Sequence, residues 1–425
     1  PWKKRRMPVR RILCGSSPIW PRAQDWGHSN FRYCAIAGRE AASVSSITWD
    51  RGRSMQRMFK RAALAGAAVV AVGAVSTPAA AQKIEGQYIC VFQPSLVAKA
   101  NVRAEAARAA NAGGGQLTHS YENTIRGFAM NASAQGIANM MARNPRIAYC
   151  EQDQVMSIPP VVQGKPGGDV VANAETIPWG VTRVGGGLAG STRRAWVIDS
   201  GIDLDHPDLN VNTTLSRSFT REKNADDGNG HGTHVAGTIG AKSGNGIGVV
   251  GVAPGVQLIA VKVLTRSGSG SNSGVIAGVD YAAANFTSGD VANMSLGGSF
   301  SQTLNDAVIA AANKGLKFAL AAGNESTSAT TKSPASANGA NIYTVSSFAQ
   351  GDKWSSFSNY GNPPIDFAEP GSSIYSTYKD KGYATLSGTS MASPHLAGLL
   401  LLGTPRSGGT VTGDPDGNPD TIGIN

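Results

Sequence analysis

The chain has 425 residues, room for two or three ordinary domains and more than a single sizeable core requires. A 41% hydrophobic and 16% charged composition excludes a disordered chain, and 53 glycines point to many tight turns. The net charge of +10 excludes less than it suggests. Residues 1–61 carry 14 Lys/Arg against 3 Asp/Glu and residues 172–425 carry 16 against 19, so the basic excess lies off the main body and does not mark a nucleic-acid binder.

Residues 1–54 show no apolar periodicity and read as an upstream extension outside the mature protein. From Met55 or Met58 the pattern changes. A basic stretch (Arg57, Lys60, Arg61) leads into an apolar run from Ala62 to Val75, and small residues follow to Ala81. This three-part build over 55–81 reads as a secretory signal peptide cleaved after Ala81. The run is too short and too rich in Ala and Gly for a membrane anchor, so secretion without membrane attachment is expected. The four cysteines fall at 14, 34, 90 and 150, which leaves the mature protein without disulfides.

Residues 82–156 form a small module. A strand is expected over Gly86–Phe92, a helix over Val97–Ala110 ended by three glycines, and strands near Leu117–Tyr121 and Gly127–Met130. A second helix over Ala134–Arg143 and a strand over Ile147–Cys150 complete the order βαββαβ, a ferredoxin-like α+β pattern. In that topology the first and last strands are antiparallel neighbours. Cys90 and Cys150 can then lie side by side, either as a disulfide or as two buried thiols.

Residues 157–173, rich in Pro and Gly, read as an exposed linker of the kind proteases nick, with a cut expected within 171–175. Over 174–425 strands and helices alternate. Strands are expected at Arg194–Ile198, Val256–Leu264, Ala292–Leu296, Leu316–Ala321 and Ile342–Ser346, and helices at His231–Ala241, Ser273–Asn285, Leu304–Asn313 and Met391–Leu402. The pattern is that of an α/β fold, a parallel sheet flanked by helices. Met391–Leu402 is apolar nearly all round and should be the buried central helix.

Three segments carry the chemistry. Ala195–Asp203 ends an apolar strand with Asp199 at its C-terminal edge, where open α/β sheets place their sites. His231 opens a helix of small residues, and Ser390 stands at the start of the apolar helix, where dipole and free amides favour developing negative charge. A serine hydroxyl needs an imidazole to take its proton, and the imidazolium needs a buried carboxylate. His234 lacks the Glu of a metal-binding H-E-x-x-H helix and reads as structural; Asp203, Asp205 and Asp208 read as loop-shaping.

These segments, in the order Asp, His, Ser, resemble those of the subtilases. Asn293–Gly298 and Ser355–Gly361 are similar to the proteinase K-like branch, and the resemblance runs over about 174–400. Residues 82–156 resemble the inhibitory propeptide of that family, chiefly in the first strand, Gly127–Met130 and Glu151–Gln154. The resemblance implies a subtilisin-like fold and a secreted, monomeric serine endopeptidase made as a zymogen, with its own propeptide as chaperone and inhibitor. It implies Asp199, His231 and Ser390 as catalytic triad, and Asn324 with the Ser390 amide as oxyanion hole. It further implies Ser295, Leu296, Gly297 and Gly298 as a substrate-pairing strand, Ala321, Ala322 and Gly323 as the other wall of the S1 pocket, and Ser269 and Gly270 as the opposing strand. Protein or peptide substrates with apolar or aromatic P1 residues follow from the small pocket residues. Catalysis needs no cofactor; a structural calcium at Asp366, with carbonyls near Ala340 and Ile342, is implied as well.

The polar run Asp414–Asp420 lacks the Gly and Glu placement of an EF-hand and reads as a turn. Relatives usually carry more helix beyond Gly403-Thr404-Pro405, so either the sequence is cut short there or the chain is expected to finish with a loop, a departure that bears on stability more than on mechanism. Two rival readings stand beside this one. An α/β-hydrolase esterase needs Gly-x-Ser-x-Gly and a different residue order, and Gly388–Ala392 lacks the second glycine. A catalytically inactive subtilase-like binding protein is the other.

Overall fold

The computed structural model describes residues 82–163, 174–188 and 190–425; the extension, the signal-peptide segment and most of the expected cut region lie outside them. The N-terminal module contains β1 (Lys83–Phe92), α1 (Val102–Ala112), β2 (Gln116–Tyr121), β3 (Gly127–Asn131), α2 (Ala134–Arg143) and β4 (Ile147–Ser157). Its strands lie in the order β2-β3-β1-β4, each pair antiparallel. Cys90 faces Cys150 in the β1–β4 register, and the two are joined as a disulfide. One face of this sheet buries Cys90, Phe92, Phe128 and Met130 under α1 and α2. The other face, with Ile89, Val91, Tyr121 and Met156, joins the core of the main body.

Beyond the module run β5 (Val162–Gln163), α3 (Trp179–Arg183), β6 (Arg194–Asp199), β7 (Arg217–Ser218), α4 (His231–Gly240), β8 (Gln257–Lys262), β9 (Ser269–Ser271) and α5 (Asn272–Asn285). There follow β10 (Val291–Met294), β11 (Gly298–Ser299), α6 (Gln302–Ala312), β12 (Lys317–Ala321), β13 (Lys332–Ser333), β14 (Ile342–Ala349) and β15 (Lys353–Trp354). The chain continues through β16 (Ile365–Pro370), β17 (Ile374–Tyr378), β18 (Gly382–Ser387), α7 (Thr389–Leu402), β19 (Arg406–Thr410) and β20 (Thr421–Ile424). The main sheet has the order β19-β20-β16-β14-β12-β10-β6-β8-β7 and is parallel from β7 to β20, with β19 and β15 added antiparallel.

A parallel sheet covered on both faces demands apolar side chains on both sides of each strand. On β6, Trp196 and Ile198 point into the cluster beneath α5 and α6, while Ala195 and Val197 point into the one beneath α4 and α7. Side-chain caps set the starts of α5 and α6: Ser271 accepts from Gly274 N–H and Ser301 from Leu304 N–H. As expected, α7 is the central helix, buried from Thr389 to Leu401.

Two expectations need correction. Residues 157–163 are not a free linker: they run on from β4 through the cleft described below, and β5 pairs with β18. After Gly403 the chain does not trail off as a loop. The hairpin β19–β20 adds a parallel strand to β16, and apolar Ile422 supplies the burial that holds it there. The run from Asp414 to Asp420 is a polar turn whose carboxylates accept from its own amides, Asp416 N–H to Asp414 (3.3 Å) and Asn418 N–H to Asp416 (2.8 Å).

Candidate active site

Asp199 ends β6 and is fully buried. Its Oδ1 lies 2.8 Å from His231 Nδ1 and accepts the Ser200 N–H at 2.7 Å. This bond puts the proton of a neutral His231 on Nδ1 and leaves Nε2, which has no hydrogen-bond partner among the described residues, as the basic nitrogen. Close packing enforces the pairing. A Cβ on Gly232 would sit 2.0 Å from the Gly201 carbonyl oxygen, so only glycine lets α4 approach the loop after Asp199 this closely.

The start of α4 depends on Asp227, which sequence reasoning missed. Its carboxylate accepts from Gly230 N–H (2.9 Å), Thr233 N–H (2.9 Å), Thr233 Oγ (2.7 Å) and Ser200 Oγ (2.9 Å), tying the His231 turn to the Asp199 loop. An acidic residue a few positions before a helix is the available signal. Lys262, also missed, is fully buried; its ammonium donates to the Ser200 carbonyl and pairs with Glu222 at 3.0 Å.

Ser390 occupies the first turn of α7. Its hydroxyl donates to the Ser295 carbonyl (3.2 Å) rather than to His231, and Ser295 Oγ donates back to the Ser390 carbonyl (2.8 Å). Asn324 is aimed by its neighbour. Thr389 N–H and Oγ both donate to Asn324 Oδ1 at 2.8 Å, which turns Nδ2 into the cleft, where it donates to the Pro160 carbonyl at 2.9 Å. Thr389 is the third positioning residue not foreseen, although it directly precedes Ser390.

The expected substrate-pairing segments flank an extended peptide supplied by the chain itself. Val155, Met156 and Ser157 pair antiparallel with Ser271, Gly270 and Ser269. On the other side Ser157 exchanges both backbone bonds with Gly297, at 3.1 and 3.0 Å. Met156 packs on Gly298, where a Cβ would come within 2.7 Å of its sulfur. Leu296 faces away into the core and offers only backbone; Ala321 and Ala322 are buried, and Gly323 N–H is held by Thr389 Oγ.

The remaining candidates lie outside this constellation. His234 Nε2 contacts the carbonyls of Ile374 and Ala384, and burial lowers its pKa to about 3, so it is a neutral structural imidazole. Asp203 and Asp208 accept backbone N–H groups of Lys381 and Val249, and Asp205 pairs with the Lys381 ammonium. Asp366 accepts Thr344 N–H at 2.9 Å. Although its side chain reaches solvent, the packing around the carboxyl pushes its pKa up to about 6.

The module grips the body through carboxylates. Asp153 accepts Ser273 N–H (3.1 Å) and Oγ at the start of α5, and Glu151 accepts Thr303 N–H (3.1 Å) and Oγ (3.2 Å) at the start of α6. In return Asp280 on α5 accepts the Asn123 and Thr124 amides at 2.7 and 2.8 Å.

Residues 196–405 match the family model described as the subtilase family. The chain is 39% identical over 338 residues to the alkaline serine exoprotease A of Vibrio alginolyticus; the match covers 75% of this chain and 60% of that protein. It is 36% identical to a subtilisin-like serine protease of Sarocladium strictum, covering 73% of this chain and 83% of the relative. Among solved structures it is similar to a cold-adapted subtilisin-like serine proteinase, with 39% identity, a TM-score of 0.50, and coverage of 55% of this chain and 90% of the other.

Proposed function

The chain belongs to the subtilase family of serine proteases, and we propose that it is a secreted endopeptidase made as a self-processing zymogen. The observation that carries this reading is the peptide strand seated between Ser269–Ser271 and Gly297, with a carbonyl on Asn324 beside Ser390.

In the proposed reaction Ser390 Oγ attacks the scissile carbonyl and its proton passes to His231 Nε2. Asp199 stabilises the resulting imidazolium through Nδ1. The oxyanion is held by Asn324 Nδ2 and Ser390 N–H. The imidazolium then gives its proton to the leaving amine, and water, deprotonated by the same nitrogen, releases the acyl group and regenerates Ser390. Backbone pairing tolerates many sequences, and the small residues Gly297, Ala322 and Gly323 leave room for an apolar or aromatic P1 side chain.

Residues 82–156 then serve as intramolecular chaperone and inhibitor, removed by a cut within 171–175 after export directed by residues 55–81, to give a monomer. Asp366, with main-chain oxygens near Ala340 and Ile342, is a proposed calcium site. Calcium accepts such mixed carboxylate, carbonyl and water oxygens, and the desolvation that raises the Asp366 carboxyl is a cost that a bound cation would offset.

Expression from Met58 of the wild type and of Ser390→Ala tests the reading by mass, N-terminal sequence and hydrolysis of a Phe- or Leu-P1 peptide. The wild type should shed about residues 82–174 and cleave the peptide, while Ser390→Ala keeps its propeptide. Identical processing of both chains without peptide hydrolysis would leave the inactive binding protein as the reading.

A further inference from the structure

The Cys90–Cys150 disulfide lies where the module meets the body. In the sheet order β2-β3-β1-β4-β9, β4 stands between β1 of its own module and β9 of the body. The β1–β4 ladder is regular only from Tyr88 to Val91, with a register shift on either side, and the disulfide crosses this short stretch. Residues around Cys150 grip the body. The Tyr149 hydroxyl donates to Asp306 at 2.6 Å, and Glu151 and Asp153 accept from the starts of α6 and α5. The bridge therefore ties the gripping strand to the rest of the module.

The module has little else to hold it. Three of the residues that α1 gives to its core are alanines, Ala106, Ala109 and Ala110. A domain of this size buries too little apolar surface to be more than marginally stable. The disulfide closes a loop across a sequence separation of 60 that contains α1, β2, β3 and α2. Opening such a loop weakens the folding equilibrium by about 30- to 1,000-fold. A module that must be folded to bind loses apparent affinity in step with its folded fraction. The two sulfurs also differ in access: Cys90 is fully buried beneath α1 and α2, whereas Cys150 is half-buried. No cysteine follows Cys150 in the chain, so residues 174–425 offer a thiol nothing to reduce.

We propose that Cys90–Cys150 is a thiol–disulfide exchange site through which a dithiol reductant releases the enzyme from its module. A thiolate of the reductant attacks Cys150 Sγ, and the bond to Cys90 breaks. Cys90 leaves as a thiolate and takes up a proton. The second thiol of the reductant then displaces Cys150, which is protonated in turn. Two electrons and two protons have passed to the protein, and the dithiol ends as its own disulfide. With the bridge open β4 loses its tie to β1, the module unfolds, and the cysteine-free catalytic part keeps working. In oxidising surroundings the bridge stays closed and the chain stays latent. This inference rests on the zymogen reading above and adds a chemical trigger to it.

The test follows the appearance of Phe-P1 peptide hydrolysis from the folded full chain, with and without dithiothreitol. Alkylation and mass spectrometry confirm that both thiols are free. Dithiothreitol should speed the loss of latency at least about tenfold, within the range expected for one opened loop. The Cys90→Ser/Cys150→Ser variant should be equally fast without it, and the matured enzyme should not respond. A second arm needs no cysteine variant and decides if that variant does not fold. In the uncut Ser390→Ala chain, dithiothreitol should accelerate amide exchange in β1, β3 and α2 and leave β10, β12 and α7 unchanged. Unaltered latency, or unaltered exchange in the module, with both thiols free overturns the exchange site alone. A full chain that is never latent while its disulfide is closed defeats the zymogen reading, and the trigger with it.

Discussion

Asp153 reaches from the last strand of the module to the start of α5, and its removal offers a quantitative test of how the module holds the enzyme. Asp153 is 1% exposed, and its carboxylate satisfies both the Ser273 N–H and the Ser273 hydroxyl. Asp153→Ala strands these donors in a buried interface, at a cost of about 1–3 kcal/mol. That corresponds to about 5- to 150-fold weaker inhibition of the matured enzyme by the fragment 82–163. Asp153→Asn keeps an acceptor and should lose less. Gln135→Ala changes an exposed side chain on α2 and should lose nothing. The assay is the inhibition constant against a Phe-P1 peptide, with far-UV circular dichroism confirming that each fragment is folded. Equal constants for the wild type and a folded Asp153→Ala fragment would refute the capping argument.

Other consequences can be measured on the same protein. Asn324→Ala should lower kcat by about 10²–10³, the loss measured for such a donor in subtilisin itself, with KM little changed; a KM effect alone would mean that Asn324 only positions substrate. Glu369 is fully buried on β16, and desolvation raises its pKa well above the usual range. The folded state then binds a proton that the unfolded chain releases, and stability falls as pH rises above about 4.3. Glu369→Gln should raise the Tm at pH 8 and leave it unchanged near pH 4; the same difference at both pH values would exclude this titration. Calcium removal by chelation should lower the Tm, and Asp366→Asn should abolish that response. A Tm indifferent to calcium would remove Asp366 from consideration as a ligand.

The sequence made the repetitive part of the fold legible because burial on both faces leaves an unmistakable apolar run. Ala195–Ile198 and Phe318–Ala321 could hardly be anything but inner parallel strands. The same argument marked α7 as the central helix. What escaped notice was whatever depends on a distant partner. Ile422 carries little meaning until β16 is beside it, and Asp227 reads as a loop residue until α4 and Ser200 converge on it. Cys90 and Cys150 sit between these cases, since strand order made them neighbours and the structure joins them. Residues 157–163 read as a linker for a physical reason: Pro159-Pro160 signals the absence of regular structure, and a segment paired with a cleft rather than with its own sheet carries the same signature.

Everything proposed for this protein turns on Ser390 being the activated nucleophile. The most direct measurement is to treat the matured enzyme with a serine-directed fluorophosphonate and map the adduct by mass spectrometry. One equivalent on Ser390, lost in His231→Ala and accompanied by loss of peptide hydrolysis, is the predicted result. An adduct on another serine, or full hydrolysis with Ser390 unlabelled, would contradict the assignment.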